Sequence, residues 1–310
     1  MFQLILNALV PVAFVVLLGY FAGRGKFISA EGAKSLSTVV INFALPCALF
    51  VSVFGFSPSQ FENIPYVLTL VIGLTIPFFV GFSVALVVWK KAPGEAALFG
   101  SNSGYPDMAY FGVPIALTVL GPQGMLPVIV GNIISSFIIL PVIMAMLHKG
   151  NDGDVSTGIG TTLRNTIKQP IIWAPLLALA LMLLGVRLPS LAIHSLKLIG
   201  DVSGGLALFT LGILLSFLTP RIDKQVVVAV FLKNLAMPAL VLLLALFFKL
   251  DPVLAKGAVI IAACPAATMG AMLSSQFDVA QDKIPAQILV STVTAIVTMA
   301  MWIYIAEKLF

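Results

Sequence analysis

Hydrophobic residues run along this chain in long blocks, separated by short polar stretches, Gly, Pro and charged residues. Blocks of about 18 to 25 apolar residues recur, and each can cross a hydrocarbon layer roughly 30 Å thick as one helix. The pattern predicts an all-α membrane protein with ten transmembrane helices. They lie near residues 5–22, 35–55, 64–89, 96–120, 125–147, 170–185, 193–218, 226–249, 253–276 and 285–306.

The composition agrees with this pattern. The chain is 60% hydrophobic and 9% charged, with a mean hydropathy of +1.12, whereas soluble domains carry about a quarter charged residues. The first block lacks the basic start and small-residue cleavage site of a signal peptide, so we interpret it as a span that stays in the mature protein. The loops leave no room for a separate soluble domain.

Basic residues between the spans predict the orientation. If the N-terminus is outside, eleven lie in inner loops: Arg24, Lys26, Lys34, Lys90, Lys91, Lys149, Arg164, Lys168, Arg221, Lys224 and Lys283. Five then lie outside: Arg187, Lys197, Lys249, Lys256 and Lys308. Because basic residues accumulate in short cytoplasmic loops, we expect both termini outside the cell inner (plasma) membrane.

The two halves of the chain show signs of a repeat. A polar, Gly-rich and Thr-rich stretch over 149–169 divides the spans five and five, and we interpret it as a cytoplasmic linker between a first repeat, 1–148, and a second, 170–310. An offset of 159 positions aligns Pro11 with Pro170, Pro93 with Pro252, Pro106 with Pro265, and Asn42 with Asp201. A unit with an odd number of spans must be inserted the opposite way the second time. The sequence therefore predicts a 5+5 inverted repeat, a plan common among secondary transporters.

One aligned pair, Pro106 and Pro265, lies near the middle of both of its spans. Pro106 in the fourth span and Pro265 in the ninth each remove a backbone donor and should break their helices near mid-membrane. Broken helices persist in a membrane only where protein or a water-filled cavity satisfies the freed backbone groups. The pattern predicts a polar site where the breaks meet. Half-helix N-termini there would favour an anion, and the preceding carbonyls could bind a cation. The alternative is that both prolines only kink helices for packing.

Three ionisable residues lie deep in the predicted spans: Asp107, Asp201 and Lys233. Charges there cost at least about 2.5 kcal/mol, so each is a functional candidate. Asp107 follows the break and could carry a coupling proton or cap the second half-helix. Lys233 could be a counter-charge for Asp107 or for a substrate carboxylate, or could extend to the inner interface. Asp201 could line the cavity or bind polar backbone.

The candidate residues therefore surround the two breaks. For substrate binding they are Asn42, Asn102, Ser103, Pro106, Asp107, Lys233, Pro265, Ala266 and Thr268, and for proton coupling Asp107 and Asp201. Enzymatic chemistry is not indicated, because no nucleophile with a base and no nucleotide-binding Gly pattern occurs. Two cysteines give no metal-ligand spacing. We expect no enzyme activity, cofactor, metal or nucleic-acid partner.

Several motifs resemble those of one family. "YPDMAYFGVPI" is similar to the fourth-span pattern "LPNTLVMGIPL" of the plant auxin efflux carriers. "INFALPCALF", "DVSGGLALFTLG" and "ACPAATMGAMLSSQFDV" resemble their second, seventh and ninth spans. The resemblance covers nearly the whole chain. The sequence contains no counterpart of the large cytoplasmic loop that many plant members have. The chain therefore resembles a bacterial member of the auxin efflux carrier family, of the group that includes malonate transporters.

The resemblance implies ten helices in two inverted repeats, the fold shared with sodium/bile acid symporters and sodium/proton antiporters. Spans one, two, six and seven would form a scaffold, and the other six a moving transport domain. Spans four and nine would cross at Pro106 and Pro265, with the substrate beside the crossing. Relatives form homodimers through their scaffolds. The Asn after the plant fourth-span Pro is Asp107 here, and the Gln after the ninth-span Pro is Ala266. An Asn amide can donate to a carboxylate whereas an ionised Asp repels one, so this change favours a proton or cation role.

The leading functional hypothesis is a secondary transporter of a small organic anion such as malonate or malate, working by an elevator-type movement. A second hypothesis is sodium or proton antiport using Asp107 and Lys233. An auxin-like monocarboxylate carrier and a membrane sensor that binds a ligand without moving it are further alternatives.

Overall fold

The computed structural model describes residues 2–55, 63–151, 168–217 and 222–310. Most of the predicted linker, 152–167, therefore lies outside the described residues. In chain order the described helices are α1 (Phe2–Arg24), α2 (Ala30–Phe54), α3 (Ile64–Val88), α4 (Pro93–Gly104), α5 (Val113–Leu120), α6 (Leu126–His148), α7 (Pro170–Leu183), α8 (Ser190–Ser216), α9 (Lys224–Phe247), α10 (Pro252–Ala263), α11 (Met269–Gln276) and α12 (Ile284–Leu309).

Six helices in the described part of the chain are long and apolar enough to cross a membrane, namely α2, α3, α6, α8, α9 and α12. The prediction of an all-α membrane protein is confirmed. The fourth predicted span is divided into α4 and α5, and the ninth into α10 and α11. The number of ten spans stays a prediction.

Wider π-helical turns precede several prolines. The turn Leu232–Ala236 in α9 lies before Pro238, and its middle residue, Asn234, is the residue whose carbonyl the proline ring would meet in a regular helix. An extra residue in the turn relieves this collision. The turn also places both Lys233 and Asn234 in the protein interior. The same relation to a proline holds for the π turns Val40–Ala44, Met108–Gly112 and Ser135–Ile139.

The helices pack in two groups. In the first group, α1 packs along α8, and α2 packs on α7 and α8. In the second group, α3 packs on α4 and α9, α4 on α6, and α10 on α9 and α12. The main connection between the groups runs from α2 to α11. The resemblance assigns the helices of the first group to a scaffold and those of the second to a transport domain, and this assignment stays a prediction.

Two glycines allow α1 and α8 to approach closely. A Cβ on Gly212 would lie 2.0 Å from the Val16 carbonyl oxygen, and one on Gly19 would lie 2.0 Å from that of Phe209. We expect Gly212→Ala to lower the free energy of unfolding by about 1–3 kcal/mol, because main chain cannot rotate away from the added methyl group. Thermal unfolding followed by gel filtration measures this. Gly205→Ala is the control, since a Cβ there meets nothing within 4 Å; equal melting of the two variants would contradict the prediction.

Candidate functional site

The two helix breaks are extended segments that pair with each other. The backbone N–H of Asp107 donates to the Pro265 carbonyl at 2.8 Å, and the N–H of Ala267 donates to the Tyr105 carbonyl at 2.9 Å. Pro106 and Ala266 form an antiparallel bridge between these bonds. The pairing satisfies backbone groups that the half-helices cannot use, as irregular backbone at membrane depth requires. We call residues 105–107 and 264–268 the crossing.

Lys233 caps the end of α10 at the crossing. Its Nζ donates to the carbonyl oxygens of Ala262 at 2.8 Å and Cys264 at 2.6 Å. The last carbonyls of a helix lack donors from their own helix and form the negative end of its dipole, so an ammonium group is a favourable partner. The Lys233 side chain is 0% exposed. The alternative in which it extends to the inner interface therefore does not describe this structure.

Asp107 caps the start of α11 on the other side of the crossing. Its Oδ2 accepts the backbone N–H of Thr268 at 3.2 Å, and the residue is buried. The sequence suggested a cap on the half-helix that follows Asp107 in its own span, whereas this bond caps the half-helix of the other broken span. A carboxylate at a helix N-terminus is favoured by the dipole. Lys233 and Asp107 thus place an amino group and a carboxyl group at the two ends of the ninth-span break.

The residues aligned with Lys233 and Asp107 in the other half of the chain have apolar side chains. At the offset of 159, Leu74 aligns with Lys233, and Ala266 aligns with Asp107. Neither Leu nor Ala can bond to freed backbone groups. The ionisable side chains that bond to freed backbone groups are therefore concentrated on one of the two breaks.

A polar network behind the crossing holds the ninth-span segment. The N–H of Ala266 donates to Ser291 Oγ at 3.0 Å, and that hydroxyl donates to Asn234 Oδ1 at 2.7 Å. Asn234 Nδ2 donates in turn to Thr294 Oγ1 at 2.8 Å, and the Trp302 indole donates to the Asn234 carbonyl at 2.9 Å. This network was not predicted from the sequence. Its only signal is an Asn and several hydroxyl residues within otherwise apolar spans.

A cavity of about 630 Å³ lies between the crossing and the helices of the first group. The crossing supplies Tyr105 to Asp107 on one wall, together with Ala267 and Thr268. The opposite wall comes from α1, α2 and α8 and is mostly apolar, and α6 closes the side. Residues outside the crossing that line the cavity include Pro11, Val15, Leu45, Ser52, Ile129, Asn132, Asp201, Ser203, Gly205 and Leu208.

Four of the predicted site residues line this cavity: Pro106, Asp107, Asp201 and Thr268. Asn132 in α6 also lines the cavity and was not predicted as a site residue. The offset of 159 aligns Asn132 with Ser291, the residue that contacts the crossing from α12. That alignment is a signal that could have found it.

The other predicted residues lie away from the cavity wall. Pro265 and Ala266 belong to the crossing and Lys233 contacts it, but none of the three is among the residues that line the cavity. Asn102 donates to the Ile284 carbonyl at 3.2 Å and to Gln287 Oε1 at 2.9 Å. The remaining two are Ser103, whose hydroxyl donates to the Phe99 carbonyl at 2.9 Å, and Asn42, which lies in the π turn Val40–Ala44. Their role in binding stays a prediction.

The charge of the cavity wall restricts what it can hold. Asp107 and Asp201 both line it, and no Lys, Arg or His is found among its lining residues in the described part of the chain. A dianion in this cavity would meet two carboxyl groups, so protons or a cation must accompany it. The residues that the structure describes contain no group of three His, Cys, Asp or Glu side chains that could hold a metal ion.

Comparison with known proteins identifies the family. A family profile described as "Membrane transport protein" matches residues 4–303. A protein of Escherichia coli K12 named "Uncharacterized transporter YfdV" is 28% identical over 313 residues, which cover 99% of each chain. A "Putative malonate transporter" of Rhizobium meliloti is 25% identical over 310 residues, 98% of this chain and 96% of the relative. Because the profile spans nearly the whole chain, the protein belongs to this membrane transport protein family, the auxin efflux carrier family, and is a multi-pass membrane transporter.

Proposed function

We propose that this protein is a secondary transporter that carries a small organic acid, such as malonate or malate, through the cavity beside the crossing. The observation that carries the proposal is the position of the cavity. It lies between the crossing and the opposing wall of α1, α2 and α8, so one wall belongs to each helix group. Movement of one group against the other would carry a bound solute past a fixed wall, as in an elevator mechanism.

The proposed architecture has ten membrane helices in two inverted repeats, 1–148 and 170–310. The 159-residue separation of Pro106 and Pro265 supports the repeat, as does the pairing of the two breaks. The first helix group would be the scaffold, through which two copies form a homodimer, and the second group would move. Both termini would lie outside the cell inner membrane, as the distribution of basic residues favours.

The charges of the cavity support proton coupling. Because Asp107 and Asp201 line the same cavity, a dicarboxylate would bind best with a proton on at least one of these groups. Asn132 offers an amide that can donate to a substrate carboxylate. The relative named "Putative malonate transporter" supports a dicarboxylate as cargo.

Antiport of sodium or protons is the second candidate. Two carboxyl groups on an otherwise uncharged wall are also a favourable environment for a cation. In this candidate Asp107 would bind the cation directly, while Lys233 would act from behind the crossing.

Uptake into proteoliposomes tests the proposal. We expect saturable uptake of labelled malonate that increases when the outer solution is made acidic. Gly205→Phe should reduce uptake by about tenfold, equivalent to about 1.4 kcal/mol of lost binding, because its ring would enter the cavity. Gly205 lines the cavity, and a Cβ there meets nothing within 4 Å, so the fold should tolerate the change.

The matched control is Val202→Phe, an exposed position on the same helix, which should transport like the parent protein. Malate and indole-3-acetate should be compared as cargoes. A sodium- or proton-driven current without organic-acid uptake would favour antiport instead. Saturable binding without any flux would favour a sensor, and equal uptake by both Phe variants would reject the cavity as the route.

A further inference from the structure

The cavity and a separate set of contacts lie at opposite ends of the same helices. In α2, Ala48 lines the cavity, while Lys34 near the start of the helix pairs with Asp278. At 1.5 Å per residue, Lys34 and Ala48 are about 21 Å apart along the helix axis. In α6, Ile129 lines the cavity and His148 lies near the other end of the helix, about 28 Å away by the same measure.

The first of these contacts joins the two helix groups. Lys34 Nζ forms an ion pair with Asp278 Oδ2. Lys34 lies on α2 in the first group, and Asp278 follows α11 in the second. Gln281 donates to the other carboxylate oxygen of Asp278 at 2.7 Å and so orients the group. Asp278 has a φ of 55°, a left-handed conformation that is uncommon for residues other than glycine, so surrounding contacts must hold this turn.

The second contact lies beside the first. His148 Nδ1 bonds the Met144 carbonyl at 2.7 Å, so Nδ1 carries the proton and Nε2 accepts from Gln169 Nε2 at 3.1 Å. His148 lies near the end of α6 in the second group, whereas Gln169 directly precedes α7 in the first. The His148 ring also packs edge-on against Phe277, the neighbour of Asp278, at 5.3 Å between centroids.

We propose that Lys34–Asp278 and His148–Gln169 form a latch that closes the transporter on the side away from the cavity and must open in every transport cycle. This inference rests on the proposed alternating access. For a solute to reach the crossing from the latch side, α11 must separate from α2. Lys34–Asp278 joins the ends of these two helices, and His148–Gln169 joins α6 to the start of α7 beside them. With the distribution of basic residues described above, the latch is on the cytoplasmic side.

The exposure of the latch suits a contact that breaks repeatedly. The Lys34 and Asp278 side chains are 44% and 59% exposed. Because solvent screens such pairs, this one should bias the ratio of two conformations by no more than about fivefold. A deeply buried pair would hold one conformation too strongly for repeated opening.

A cysteine reporter tests the latch without requiring transport. Ser275 on α11 is 2% exposed, so Ser275→Cys should react slowly with a water-soluble maleimide. Adding Lys34→Ala should raise its labelling rate by up to about fivefold, because the unlatched conformation becomes more populated. Lys34→Asp should act in the same direction, and combining it with Asp278→Lys should restore slow labelling. Protein without the added cysteine gives the background from Cys47 and Cys264.

Lys91→Ala is the matched control. Lys91 also forms an ion pair, with Glu95 at 2.9 Å, but both residues belong to the second group. Its removal should leave labelling unchanged. If Lys34→Ala and Lys34→Asp label like the Ser275→Cys parent, or if the charge exchange fails to restore slow labelling, the latch is rejected.

Cross-linking links the latch to the transport cycle. In a Lys34→Cys and Asp278→Cys double variant, oxidation should stop malonate uptake and reduction should restore it, while the single variants should be insensitive. Uptake that continues in fully cross-linked protein would overturn the proposal. If the parent protein carries no malonate but the labelling results hold, the proposed cargo fails and the latch stands.

Discussion

Replacing Lys233 by Met is expected to lower the free energy of unfolding by about 2–6 kcal/mol and to stop transport. Lys233 supplies donors to the Ala262 and Cys264 carbonyls at the end of α10. Each buried carbonyl that loses its donor costs about 1–3 kcal/mol. Met keeps a side chain of similar length but has no N–H, so the effect reports the lost bonds rather than a large change in packing. Thermal unfolding followed by gel filtration measures the stability, and malonate uptake measures the function.

Two controls separate the cap from charge in general. Lys224→Met at the exposed start of the same helix should melt like the parent protein. Lys233→Gln keeps one donating group and should lie between the parent and Lys233→Met. Since Asp107 and Lys233 hold opposite ends of one break, Lys233→Met combined with Asp107→Asn should cost less than the sum of the single changes. Unaltered melting of Lys233→Met would mean that the carbonyls at the crossing need no donor.

The positions of the breaks could be predicted because two signals coincide there. Pro106 and Pro265 align at the offset of 159, and each lies among small and polar residues. Proline alone does not decide, since Pro11, Pro77 and Pro175 lie inside continuous helices. The partner of each freed group could not be predicted. Lys233 lies 29 positions from Ala262, and it faces the break because α9 contains a π turn. The π turn depends both on Pro238 and on how α9 packs against its neighbouring helices.

The placement of Asn102 and Ser103 shows a different limit. A polar residue in a helix can be assigned to a face when an apolar stripe marks the opposite one. In α4 the residues from Ala96 to Gly104 are all buried, so no stripe distinguishes the faces. Ser103 bonds within its own helix, and Asn102 turns to the start of α12 rather than to the cavity. Asp107, which follows the break directly, does not depend on a helical face in this way.

Replacing Asp107 by Asn is expected to make malonate uptake independent of pH while leaving the fold intact. The Asn side-chain oxygen can accept the Thr268 N–H that Asp107 Oδ2 accepts at 3.2 Å, and Asn and Asp cap helices about equally well. In the parent protein, uptake should fall as pH rises, by up to about tenfold per unit when one proton must be bound for transport. The sign follows because the ionised carboxylate repels an anionic cargo, whereas the protonated form does not. Uptake in proteoliposomes between pH 5 and 8 measures the profile.

Asp107→Ala separates capping from charge. It removes both and should lower the stability by about 1 kcal/mol through loss of the cap, whereas Asp107→Asn should not. Asp201 is the other carboxyl group of the cavity, on the opposite wall, so Asp201→Asn is the necessary comparison. A profile that stays steep in Asp107→Asn but becomes flat in Asp201→Asn would place the proton on α8 in the first group. A proton bound there would stay with the wall that faces the crossing, so it would control cargo binding without travelling with the cargo.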